Sequence, residues 1–221
     1  MTTMSHTHFH THPATVPLTP RNPLLITDAD EVILRFAEGF DRFLSERELF
    51  LDLTTYRLHG NVKRKDDRTK ILDVECTALL DEFRADLDWL DVVEEADTVL
   101  RALAPSMNIV VLSNVSEAQA PARLRNLEKL GLPYPLIANS GWKGPAVKAL
   151  AARAAQPVFF IDDIPQHHTS VAELAPDVYR IHLIGDERLK PLLPPAEDAH
   201  LRAGTWRDVE AFVRAKLRAA R

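Results

Sequence analysis

The stretch that most constrains this chain is Leu24-Leu25-Ile26-Thr27-Asp28-Ala29-Asp30-Glu31-Val32. A short, continuously apolar run is the pattern of a strand buried on both faces, and such strands belong to parallel sheets sandwiched between helices. This one ends in two carboxylates one residue apart. Side chains on an extended segment alternate, so Asp28 and Asp30 point the same way if the strand continues. Open α/β sheets bind ligands at the carboxyl ends of their strands. Neighbouring acids repel, so a pair there calls for a cation or a shared proton. Solvated loop acids, or a helix start capped by Asp, are the alternatives.

The pattern recurs. Helical spacing over 92–104 puts Ala96, Val99, Leu100 and Leu103 on one face, and a strand follows at 108–112, ending in Ser113-Asn114. A helix over 117–130 is stopped by Gly131, a short strand covers 136–138, and a helix starts around Pro145. Val158-Phe159-Phe160-Ile161 is another buried strand, tipped by Asp162-Asp163. A fifth strand spans 178–183. Thr205 and Asp208 open a last helix with a capping-box pattern. Strands alternating with helices predict an α/β, Rossmann-like, doubly wound parallel sheet. Right-handed crossovers place every strand's carboxyl end on one edge, so Asp28, Asp30, Ser113, Asn114, Asp162 and Asp163 should converge there.

Between the first strand and this regular part, residues 34–90 read differently. Phe36, Phe40, Phe43 and Leu44 mark one amphipathic helix, and Ile71, Val74, Leu79, Phe83, Leu87 and Leu90 a second. The segment between them has no period, a Gly60-Asn61 turn signal and a Lys63-Arg64-Lys65 run. The expected organisation is a disordered tail over 1–22, an α/β core over 23–33 and 91–221, and a helical cap over 34–90. The tail is rich in Thr, Pro and His; alternating His6, His8, His10 and His12 have the spacing of a weak transition-metal site or are incidental.

Composition limits the function classes. A net charge of -5 gives no electrostatic reason for a nucleic-acid partner. No apolar run near the start is long enough for a signal peptide or membrane span, and one cysteine, Cys76, forms no internal disulfide framework. The expectation is a cytoplasmic protein. No sustained heptads mark a coiled-coil interface.

Four carboxylates with hydroxyl and amide neighbours form a hard-oxygen site suited to Mg²⁺, which takes about six oxygens. The strand tips offer no sulfur or imidazole for zinc. A divalent cation beside a carboxylate suits phosphate esters: the metal neutralises charge on the transferred group, an aspartate attacks phosphorus, and a second carboxyl protonates the leaving oxygen and then activates water. A cation near the phosphoryl oxygens is also needed. Lys143, in the loop 140–145 at a helix start, is better placed than Lys148 one turn in.

With these four segments in this order, the chain resembles the haloacid dehalogenase superfamily of phosphohydrolases. Asp28-Ala29-Asp30-Glu31-Val32 matches the first motif, Ser113 the second, Lys143 the third, and Asp162-Asp163 the paired acids of the fourth. The resemblance implies that Asp28 is the nucleophile and Asp30 the general acid and base. Ser113 and Lys143 would hold the phosphoryl group, and Asp28, the Asp30 carbonyl, Asp162 and Asp163 the Mg²⁺. Dehalogenating relatives lack an acid at the position of Asp30. The implied substrate is a small-molecule phosphate ester, with a nucleotidase suggested by Glu31, which replaces the usual glycine. The position of the insertion resembles a cap, in which Arg57, His59, Asn61, Lys63, Arg64 and Arg68 are candidates to face substrate beside Asn114 or form a solvated basic face, and Tyr56 and Trp89 stack on a ring or pack in the cap's core. His167, just after the fourth motif, orients a water or a carboxylate, or is a plain loop residue. A receiver domain has its paired acids on the first strand, unlike this chain. A catalytically silent binding or regulatory member of the superfamily is the competing reading.

Overall fold

The computed structural model describes residues 9–87 and 90–220. His6, His8 and Trp89 lie outside them. Seven parallel strands form the sheet: β1 (Phe9–His10), β2 (Leu24–Thr27), β5 (Asn108–Asn114), β6 (Leu136–Asn139), β7 (Val158–Asp162), β8 (Tyr179–Leu183) and β9 (Leu201–Ala203), in the order β1-β6-β5-β2-β7-β8-β9. β2 lies at the centre, hydrogen-bonded to β5 on one side and β7 on the other.

Period-two alternation splits the buried strands between two cores. Leu24, Ile26, Val110, Leu112, Val158 and Phe160 face one layer, with α5 (Gly144–Ala151) and α6 (Pro165–Leu174). Leu25, Ile109, Val111, Phe159 and Ile161 face the other, with α3 (Ala96–Leu103), α4 (Ala120–Lys129) and α7 (Trp206–Ala219). Because both faces are covered, these strands read as continuous apolar runs. The expected doubly wound parallel sheet is what the chain forms. Thr205 and Asp208 close a capping box at α7, as their spacing predicts.

Three segments differ from the sequence reading. The 9–22 part of the expected tail is ordered. β1 pairs with β6 along the sheet edge, Val16 is buried in the α5/α6 core, and His12 Nδ1 accepts from Ala14 N–H to cap a single 3₁₀ turn. Arg153 donates to the carbonyls of Pro13 and Val16, and Thr19 N–H donates to Asn108. A two-residue strand has no periodicity to read; its order comes from distant partners.

The 34–90 segment is also not purely helical. Between α1 (Phe36–Ser45) and α2 (Asp73–Ala85) it folds a two-stranded antiparallel hairpin, β3 (Leu49–Leu51) with β4 (Val62–Arg64). The connection is organised by buried Asn61, whose amide donates to the Thr55 and Arg57 carbonyls and whose carbonyl accepts from Thr54. Charged residues in β4 hid its alternation. Third, α6 begins at Pro165, so His167 is helical rather than in a loop. No described helix is long and apolar enough to cross a membrane.

Val16 separates an ordered strap from a tail. Val16→Ala should lower unfolding stability by about 2 kcal/mol, read by urea denaturation; a disordered residue would leave the midpoint unchanged.

Candidate active site

The site is built where β2, β5 and β7 end. Asp28 follows β2 directly, and its N–H still donates to Ile161 O of β7 at 2.9 Å, so its side chain leaves the sheet edge on a fixed backbone. Lys143 sits at the start of α5 and is 1% exposed. Its Nζ lies 2.8 Å from Asp28 Oδ1 and 2.7 Å from Asp162 Oδ2. Gly144 makes this possible: a Cβ there would lie 2.3 Å from Ser170 O, so only glycine lets α5 pack this close to α6. Lys148, on the same helix, is exposed.

Asp162 and Asp163 are oriented from behind. Asp162 Oδ1 accepts from Ile164 N–H at 2.8 Å. Two buried histidines hold the backbone carbonyls, His168 against Asp162 O at 3.0 Å and His182 against Asp163 O at 2.9 Å. Ala196 N–H donates to His182 Nδ1, so the proton toward Asp163 is on Nε2. Burial holds both imidazoles below their usual range, His168 at about 4, and keeps them neutral.

The acids carry the cost of this crowding. Burial, opposed by Lys143, pushes Asp28 up to about 7. Burial and then Asp28 and Glu31 push Asp163 well above the carboxylate range. Burial would raise Asp162 too, but the charge and hydrogen bond of Lys143, together with His167 and His168, hold this group low. Lys143 itself, which burial alone would lower, is raised by Asp162 and Asp28. Asp28, Asp162 and Asp163 each offer a carboxylate oxygen, all within 4.8 Å of one another. A divalent cation would relieve the repulsion at Asp163, and an all-oxygen donor set fits a hard ion such as Mg²⁺.

Asp30 lines the cleft above these groups and is ion-paired to Arg123 of α4 at 2.5 Å. Glu31, at φ 57°, turns back to accept Ala37 N–H at 2.6 Å in the first turn of α1. Asn114 also lines the cleft and is tied to Asn139 and to Gly141 O of the lysine loop. Ser113, 1% exposed, is the preceding residue on β5.

The cleft has a volume of about 230 Å³ and is roofed by the 34–90 segment through Phe36, Tyr56, Leu58 and Arg84. Tyr56 Oη donates to Asp163 Oδ2, a polar role rather than stacking. Five other basic residues named from sequence are not in the lining. Arg57 is exposed, His59 bonds Thr77 Oγ1 at 3.0 Å, Lys63 pairs with Asp52 at 2.5 Å, and Arg64 pairs with Glu75 at 3.3 Å. Arg68 also pairs with Asp52, at 3.7 Å, and Asn61 holds the hairpin connection. Lys63, Arg64, Arg68 and Asn61 are drawn to acids or carbonyls of their own segment, contacts that no sequence spacing displays. His167 lines the cleft, its ring edge-on to exposed Trp142 at 5.8 Å. A larger cavity, about 610 Å³ beside Arg35, Asp186 and Trp206, contains none of the strand-tip acids.

No family model and no curated protein matches the sequence. Solved structures do match the architecture. A haloacid dehalogenase-like hydrolase from Streptococcus pneumoniae superposes with TM-score 0.58 at 13% identity, over 87% of this chain and 98% of its own. The fold is that of the haloacid dehalogenase-like hydrolases. A predicted phosphatase from Clostridium acetobutylicum gives TM-score 0.57 at 13% identity, over 88% of this chain and 99% of its own. A defluorinating L-2-haloacid dehalogenase gives 0.56 at 12%, over 89% and 100%. These neighbours are described as a predicted phosphatase and as a dehalogenase, so the reaction must be argued from the site.

Sequence reasoning did not find Arg123 or Arg84 in this site. The available signal for Arg123 was a cation among Ala120, Leu124 and Leu127, the apolar face of α4.

Burial pushes the Glu31 carboxyl up from 4.5 to about 8. The folded chain therefore keeps a proton that the unfolded chain loses, and the associated stability is complete below the unfolded value and lost as pH rises through about 8. With chelator present, stability of the wild type should fall relative to Glu31→Gln between pH 5 and 8, by at most about 1.4 kcal/mol per pH unit. Parallel pH profiles in denaturant melts would refute this.

Proposed function

We propose that this chain is a Mg²⁺-dependent phosphomonoester hydrolase that works through an aspartyl-phosphate on Asp28. The observation that carries the reading is Lys143, bridging Asp28 and Asp162 beside a third carboxylate, Asp163, within metal-ligand reach. Asp28 would attack phosphorus as the carboxylate. Lys143 would hold the phosphoryl oxygens and keep Asp28 oriented. Ser113 and Asn114, at the tip of β5, supply hydroxyl and amide groups for the same oxygens. Asp30 would give its proton to the leaving oxygen and take one back from the water that hydrolyses the acyl phosphate. Asp28, Asp162, Asp163 and the Asp30 carbonyl would hold the cation, which when bound neutralises charge on the transferred group.

Dehalogenation is the second hydrolytic chemistry among the neighbours. A halide leaves without a proton and needs no acid in the position of Asp30, so the cleft-facing Asp30 favours the phosphate ester. A catalytically silent role is disfavoured because each proposed side chain is present at the strand tips. The substrate would be a small molecule: the cleft, at about 230 Å³, is below the roughly 300–1,000 Å³ of sites for larger ligands. The 34–90 segment would act as the cap that excludes water from it.

Purified protein with Mg²⁺ should release phosphate from members of a panel of sugar, nucleotide, short-chain and aryl phosphates. Chelator should abolish this, and Asp28→Asn should lower kcat by about 10⁴-fold or more. Mg²⁺ binding without release from any ester would instead support the silent, partner-binding reading.

A further inference from the structure

Arg123 is a buried cation whose presence needs a reason. It is 1% exposed, in the first turn of α4, beside the positive end of the helix dipole. Its Nε and Nη1 have no hydrogen-bond partner. Burying a guanidinium in this way is costly unless an anion compensates, and an apolar side chain of similar volume often serves stability equally well or better. Among the described residues the only carboxylate within ion-pair distance is Asp30, whose Oδ1 lies 2.5 Å from Arg123 Nη2.

The contact is one-sided. Asp30 Oδ1 is buried, yet the Asp30 side chain as a whole is 30% exposed and lines the cleft. The carboxyl oxygen left to the cleft is therefore Oδ2. The backbone beneath is also fixed: Glu31 N–H donates to Leu34 O at 2.8 Å, and the Ile33 and Leu34 N–H groups both donate to Ala29 O. A tight loop sets where Asp30 starts, and α4 sets which way its carboxyl turns.

We infer that Arg123 is the positioning residue of Asp30, holding Oδ1 so that Oδ2 meets the leaving-group oxygen. This rests on the hydrolase reading above. In the first half-reaction a bond forms between Asp28 Oδ and phosphorus, and the bond from phosphorus to the ester oxygen breaks. The proton on Asp30 Oδ2 passes to that oxygen, giving the free alcohol, and Asp30 is left as the carboxylate paired with Arg123. In the second, water oxygen attacks phosphorus, the bond to Asp28 breaks, and the water's proton returns to Oδ2. Arg123 touches no reacting atom; it acts through the orientation of one carboxyl.

The test is leaving-group dependence. A weakly basic phenolate leaves without a proton and an alkoxide does not, so kcat/KM is compared for 4-nitrophenyl, phenyl and ethyl phosphate. In Arg123→Met it should fall by about 100-fold for the alkyl ester and by less than about tenfold for the nitrophenyl ester. Arg123→Lys should show an intermediate loss with the same dependence, and carries the comparison if Arg123→Met is insoluble. In an Asp30→Asn background, Arg123→Met should change nothing further. Equal losses across the three esters, or losses that multiply in the double variant, would make Arg123 a structural residue and overturn the inference alone. Failure of the wild type to hydrolyse any of the three would overturn the hydrolase reading and, with it, this role.

Discussion

The site depends on one buried cation held between two carboxylates. Lys143 ties the end of β2 to the end of β7 through Asp28 and Asp162, from the start of a helix in the layer below. Acids this close and this dry repel, and without the ammonium both would be driven toward the neutral form. Breaking such a buried pair by removing one partner leaves an uncompensated charge, at a cost of about 3–5 kcal/mol. The close packing of Gly144 on Ser170 follows from this need, since it brings Lys143 down to the strand tips.

Around that bridge, charge is distributed by element. Asp162 is satisfied by Lys143 and by the Ile164 N–H, and Asp30 is ion-paired to Arg123. Asp163 is left with the Tyr56 hydroxyl and with repulsion from Asp28 and Glu31. This is the position at which a hard cation would relieve the most electrostatic strain. The neutral histidines behind it, His168 and His182, fix carbonyls rather than add charge. The sheet edge is rigid because its side chains hang from hydrogen-bonded strands, whereas the roof comes from a separate segment with its own hairpin and ion pairs.

How much of this was legible follows from what each feature rests on. Buried strands announce themselves by composition, so the four tipped by Asp28, Asn114, Asn139 and Asp162, together with β8, were readable within a residue or two. The two-residue β1 and the three-residue β9 were not, because their pairing is supplied by β6 and β8. Lys143 was readable because a helix start after a strand lies at the carboxyl edge. Arg57, His59, Lys63 and Arg64 fall outside the cleft lining for the opposite reason: a loop's orientation over a cleft is set by contacts such as those of Asn61, which leave no periodic trace.

The sequence by itself determined the doubly wound sheet and the convergence of its acids, because alternation of apolar runs with helical periods, read with the handedness of crossovers, admits few arrangements. Only the tertiary structure decided how those acids are partnered. That Arg123 meets Asp30, that Tyr56 and Arg84 reach the cleft, and that Lys63 and Arg64 of the hairpin turn to carboxylates of their own segment depends on distances between residues far apart in the chain. Side-chain electrostatics acts through space over a few ångströms, and a linear pattern encodes which charges exist but not which of them meet.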